Sequence, residues 1–108
     1  MLSLHSWSDL LATLKAELLV MYGPRFRGLF VYGSYARDEA DDESDLDVLI
    51  VLDEVARYGA EIDRTSHLIA RLSLEHGISV SRVFASENDW RTCDTQFFRN
   101  ARQEARAA

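Results

Sequence analysis

The chain has 108 residues, 47% of them hydrophobic, with five Gly, one Pro and a formal net charge of −6. That length suits one domain around a single core, expected here to span residues 1–108, and the composition excludes a disordered chain. The acidic balance argues against generic binding to nucleic-acid backbone, which rests on Lys and Arg neutralising phosphates.

Only after Trp90 is the chain mildly basic, with Arg91, Arg99, Arg102 and Arg106. A chain this short leaves much of its surface exposed, so a protein partner or a homo-oligomer is expected. Cys93 is the lone cysteine. It reads as a packing residue, and an unpaired thiol fits a reducing, cytoplasmic setting. The opening "MLSLHSWSDLL" has no basic n-region and no long apolar run, so no signal peptide is expected. No stretch approaches the length of a membrane span.

Residues 7–22 carry Trp7, Leu10, Leu11, Leu14, Leu18 and Met21 on one helical face, which predicts an amphipathic helix. Ser6, with Asp9 three residues on, would cap its start, and Gly23 with Pro24 would stop it. "GLFVYGS", from Gly28, predicts a strand that ends at Gly-Ser. "SYARDEA" has room for about two turns of helix at ~3.6 residues per turn. "DLDVLIVL" predicts a second strand. Beyond its acidic start both faces are apolar, so it should be central and covered on both sides. Residues 54–76 predict a long helix with Val55, Tyr58, Ile62, Ile69 and Leu72 as its stripe, ending at Gly77. "ISVSRVF" predicts a third strand. Residues from Glu87 onward and 95–106 predict further helix. The order α-β-α-β-α-β-α implies a small α/β domain.

The chemistry concentrates between the first two strands. Seven of the ten residues 38–47 are carboxylates. Asp45 and Asp47, at i and i+2 of a strand, point to the same face. Two carboxylates that close repel one another and raise a pKa, and a divalent cation removes the conflict. Mg²⁺ favours one or two protein carboxylates together with water and substrate phosphates. Gly33 lets a backbone approach an anion closely. The Ser34 hydroxyl at a helix start, and Arg37 one turn on, add a donor and a cation for phosphate.

"GSYARDEADDESDLDVLIVL" resembles the signature of the DNA polymerase β-like nucleotidyltransferases, in which Gly-Ser is followed after ten residues by Asp-x-Asp. Gly33, Ser34, Asp45 and Asp47 match it without a gap. "GSYAR" and "SDLDVLIV" match the flanking pattern, and in length and element order the chain is similar to the minimal nucleotidyltransferases of that superfamily. The resemblance implies a mixed sheet flanked by helices. It implies that Gly33 and Ser34 hold a triphosphate and that Asp45 and Asp47 bind two Mg²⁺ ions. It implies transfer of a nucleoside monophosphate, commonly AMP from ATP, to a hydroxyl. It also implies a helical HEPN-type partner, since some family members are antitoxins that adenylylate a tyrosine of such a partner.

One position departs from that pattern. Active members usually carry a third carboxylate on a later strand, and here the expected position holds Ser79 or Ser81. Serine is a poor metal ligand or base. Glu87 or Asp89 would have to reach back from beyond the strand. A catalytically degenerate, nucleotide-binding antitoxin-like module is therefore the alternative reading.

Other features read as structural. Asp38, Glu39, Asp41, Asp42 and Glu43 read as a solvated loop, with Ser44 ordering its turn. Arg37 is divided between a phosphate contact and an ion pair with that loop. An EF-hand starting at Asp41 fails, because Leu52 stands where the bidentate Glu belongs. The chain looks too short for a nucleotide-sugar glycosyltransferase. His5, His67 and His76 have no ligand spacing. Trp7, Trp90, Phe97 and Phe98 read as core, with Phe97 and Phe98 as interface candidates if exposed.

Overall fold

A computed structural model of the protein describes residues 7–108; the Ser6 cap, His5 and the rest of residues 1–6 lie outside them. The elements are α1 (Trp7–Tyr22), β1 (Phe26–Tyr32), β2 (Leu46–Leu52), α2 (Tyr58–His76), β3 (Val80–Ser86), α3 (Glu87–Thr92), α4 (Gln96–Glu104) and β4 (Arg106–Ala107). The sheet order is β3-β2-β1-β4. β1 runs antiparallel to β2 and β4, and β2 runs parallel to β3. The mixed sheet flanked by helices is the expected α/β class.

β2 is central, as its two apolar faces require. Leu46, Val48, Ile50 and Leu52 join Leu29 and Val31 of β1 against Leu10, Leu14 and Leu18 of α1 and Leu68, Ile69 and Leu72 of α2. Leu49 and Val51 point the other way, with Ala85, and are packed by Phe30, Tyr32, Trp90 and Phe98. Alternation along one strand thus places α1 and α2 on one face, and α3 and α4 on the other.

Several expectations are corrected. The region between β1 and β2 contains no helix. Residues 33–38 form turns, and the only bond there of α-helical span joins the Arg37 N–H to the Gly33 carbonyl. Asp38 adopts a positive φ of 59°, which stops propagation after one costly nucleating turn. β1 starts at Phe26 rather than Gly28, β3 runs to Ser86, and α2 starts at Tyr58 rather than residue 54. β4 is an additional strand.

On α1, Met21 is exposed and Tyr22 is buried instead. The Tyr22 hydroxyl donates to Glu61 Oε1 at 2.7 Å, and Arg25 and Arg64 pair with the same buried carboxylate. On α2, Tyr58 is largely exposed and Leu68 belongs to the stripe. Gly23 and Gly77 do end their helices with positive φ.

Two caps set the far face. Ser86 Oγ accepts from the Asp89 N–H at the start of α3, and Thr95 Oγ1 accepts from the Phe98 N–H at the start of α4. Arg102 then donates to the carbonyls of Trp90 and Cys93, locking α4 against α3. Trp90 and Phe98 are packed, whereas Phe97 is exposed and edge-on to Tyr32. No described helix is long and apolar enough to cross a membrane.

Candidate active site

The antiparallel pairing of β1 and β2 brings the end of one beside the start of the other. Tyr32 is the register partner of Asp47. The next residue, Gly33, has φ +76°, and a Cβ built on it would run into Asp47 Oδ2. Glycine is therefore needed here twice, for the backbone conformation and for the close approach. Asp47 continues the face of Leu49 and Val51, whereas Asp45 stands just before β2, which starts at Leu46 rather than at Asp45 as expected. The Gly-Ser turn and Asp47 of the Asp-x-Asp pair thus meet at one corner of the sheet, with the charge of Asp45 close enough to act on Asp47.

The electrostatics fit a cation. Burial pushes the Asp47 carboxyl above its ordinary pKa, and the charges of Asp45 and Glu104 add to that against the opposing pull of Arg37. Tyr32 is pushed up to about 12 by burial, with the Asp47 charge adding. Among the described residues no three His, Cys, Asp or Glu side chains are grouped to hold a metal. Asp45 and Asp47 fit Mg²⁺ as a two-carboxylate set that relies on water and phosphate oxygens for its remaining ligands.

The register also locates the departure from the family pattern. Ser81 of β3 stands directly opposite Asp47 of β2, and Ser79 offers its carbonyl to the Leu46 N–H. Glu87 and Asp89 do not reach back. They follow Ser86, the partner of Leu52 at the other end of β2, five residues or about 17 Å beyond Ser81 at ~3.3 Å per residue. Glu87 is paired there with Arg27 at 3.1 Å.

Ser34 opens a turn rather than a helix, so no helix dipole is aimed at the corner. Its carbonyl accepts from the Arg37 and Glu39 N–H groups. Arg37 is held in ion pairs, at 2.9 Å to Glu39 and 3.0 Å to Glu104. Ser44 orders the acidic loop as expected, its Oγ accepting from the Asp41 N–H at 3.0 Å. Beside Asp45 lies a cavity of about 960 Å³, lined by Trp7, Tyr35, residues 41–45 and residues 74–79.

Glu104 is the residue that sequence reasoning missed. Its Oε2 accepts from the Gly33 N–H at 2.7 Å. It lies 71 positions from Gly33 in a helix with no motif, so no local pattern signals it.

Comparison with known proteins places this geometry. The profile of the nucleotidyltransferase domain matches residues 13–104. A putative protein adenylyltransferase of Methanocaldococcus jannaschii is 31% identical over 79% of this chain and 80% of its own length. The protein adenylyltransferase MntA of Thermococcus cleftensis is 36% identical over 68% of this chain and 73% of its own length.

Solved structures with the same fold include a toxin–antitoxin complex with AMP-PNP, at TM-score 0.60 and 16% identity over 85% of this chain and 67% of the other. Another is the tri-AMPylated HEPN toxin of Shewanella oneidensis in complex with its MNT antitoxin, at TM-score 0.55 and 15% identity over 99% of this chain and 71% of the other. Given a profile that spans most of the chain and relatives above 30% identity, the chain belongs to the nucleotidyltransferase domain family.

Proposed function

We propose that this chain, a single domain over residues 1–108, is a Mg²⁺-dependent nucleotidyltransferase. It takes AMP from ATP and places it on a hydroxyl, a tyrosine of a helical HEPN-type partner protein in the cytoplasm. The observation that carries the reading is the junction of Gly33 with Asp47, where an anion-accepting backbone turn closes on a carboxylate near the start of β2. The names of the relatives, protein adenylyltransferases, support the reaction class. The neighbours solved with AMP-PNP and with an AMPylated HEPN toxin support the nucleotide and the partner.

In this reading the Gly33 N–H, Ser34 and Arg37 bind the phosphates. Asp45 and Asp47 hold the metal, which when bound neutralises phosphate charge and steadies the attacking and leaving oxygens. The acceptor oxygen bonds to the α-phosphorus as the α–β bridging bond breaks. Pyrophosphate leaves, and the hydroxyl proton passes to solvent.

A second reading rests on Ser81. With a serine opposite Asp47, the chain would bind nucleotide without transferring it and act as an antitoxin-like partner. Calorimetry of Mg·ATP with the wild type and an Asp45→Ala/Asp47→Ala variant tests what the two readings share. Binding that disappears in the variant is expected. Equal binding by both proteins would remove the nucleotide site from this corner.

A further inference from the structure

Glu104 holds the same two groups that the proposed function gives to a triphosphate. Its Oε2 accepts from the Gly33 N–H at 2.7 Å and its Oε1 accepts from Arg37 Nη1 at 3.0 Å. One carboxylate thus bridges a backbone donor and a guanidinium, as a phosphate group does with two of its oxygens. The contact is built by the fold. Glu104 is the last residue of α4, which Arg102 anchors to α3. Directly after it, β4 pairs with Phe30 and Val31 of β1, the Ala108 N–H donates to the Leu29 carbonyl at 2.9 Å, and Arg106 pairs with Asp38 at 3.1 Å. Helix and strand together form a strap that carries the carboxylate to the turn. Its charge sits close enough to Asp47 to oppose ionisation there. Among the described residues, the Gly33 N–H and Arg37 are the groups that bond the Glu104 carboxylate.

We propose that Glu104 is an internal anion that occupies the phosphate cradle, so that a triphosphate binds only by displacing it. The inference rests on the nucleotide-binding reading of Gly33 and Arg37. It makes the α4–β4 strap an autoinhibitory element: whatever loosens the strap opens the site, and Mg·nucleotide competes with Glu104 rather than meeting a free cradle. A carboxylate hydrogen bond to a charged or well-aimed donor is worth enough that its removal should tighten nucleotide by about tenfold.

The test is calorimetry of AMP-PNP with Mg²⁺, and of inorganic tripolyphosphate with Mg²⁺, on the wild type, Glu104→Ala, Glu104→Gln and Asp45→Ala/Asp47→Ala. Thermal melts check that each variant is folded. Glu104→Gln keeps an acceptor for the Gly33 N–H while removing the charge, so it guards against a packing defect in the alanine variant. The expected result is tighter binding of both probes by both Glu104 variants, with the alanine variant tightest. Unchanged or weaker binding by both variants, with binding still dependent on Asp45 and Asp47, overturns the inference and leaves the nucleotide-binding reading standing. Absence of binding by every variant overturns both.

Discussion

Asp47 of β2 and Ser81 of β3 are register partners on adjacent parallel strands, so their side chains share one face of the sheet. A carboxylate at residue 81 would stand beside the Asp45–Asp47 pair. Ser81→Asp is expected to raise Mg²⁺-dependent transfer by about a hundredfold, the low end of what a positioned base contributes. It should also lower the melting temperature without Mg²⁺ and regain the loss with it, because a third acid repels the pair until a cation arrives. Steady-state transfer rates and paired melts check both parts.

Gly33→Ala tests the close approach at the turn. The residue has φ +76°, and the new Cβ would meet Asp47 Oδ2. The backbone strain alone should cost about 1–3 kcal/mol. Displacement of Asp47 should abolish Mg·ATP binding even where the variant stays folded. Urea unfolding and calorimetry read the two effects separately.

Asp47→Asn should separate stability from function. Burial, Asp45 and Glu104 together hold the Asp47 carboxyl above its ordinary pKa, so its ionised form strains the apo protein. A neutral amide relieves that strain. The expected outcome is a higher melting temperature than wild type in EDTA, together with loss of the stabilisation that Mg·ATP gives the wild type by mass action. A lower melting temperature in EDTA would show that Asp47 serves the fold.

The buried Glu61 gives a pH-dependent prediction away from the site. Burial alone would raise its pKa, but the Tyr22 hydroxyl and the charges of Arg64 and Arg25 outweigh it and hold the carboxyl below its ordinary value. A carboxyl with a depressed folded pKa binds protons more readily in the unfolded chain. Its stabilising contribution is therefore complete above the ordinary value of ~4.3 and is lost as pH falls through the lower folded value. Tyr22→Phe removes the hydrogen bond at 2.7 Å and should cost about 1–2 kcal/mol near neutral pH. That deficit should shrink as pH drops below ~4, as urea melts at pH 7, 5 and 3 would record. A deficit that stays constant with pH would place the cost in packing instead.

What was legible in the sequence follows physical range. α1 and the two-faced β2 announced themselves by periodicity, and Gly23 and Gly77 by their left-handed turns. The Gly-Ser and Asp-x-Asp spacing was legible because it is a local pattern, but strand alternation does not carry to Asp45, since β2 starts at Leu46. The helix expected from "SYARDEA" fails because a turn this short, stopped at Asp38 in a left-handed conformation, cannot recover the cost of nucleation. The burial of Tyr22 instead of Met21 depends on Glu61, 39 residues away. The contact of Glu104 with Gly33 depends on a strap that closes over 71 positions. Neither is encoded in any window of neighbouring residues. The serine departure could be narrowed from two positions to Ser81 only once the β2–β3 register was known.

The central claim, nucleotidyl transfer from the Gly33–Asp47 corner, is tested most directly by incubating the protein with the product of its neighbouring gene, Mg²⁺ and α-labelled ATP. Matched samples carry γ-labelled ATP, and an Asp45→Ala/Asp47→Ala variant. The account predicts label on a protein tyrosine from the α position only, absent in the variant and in EDTA. Label from the γ position, or α-label that persists in the variant, would contradict it.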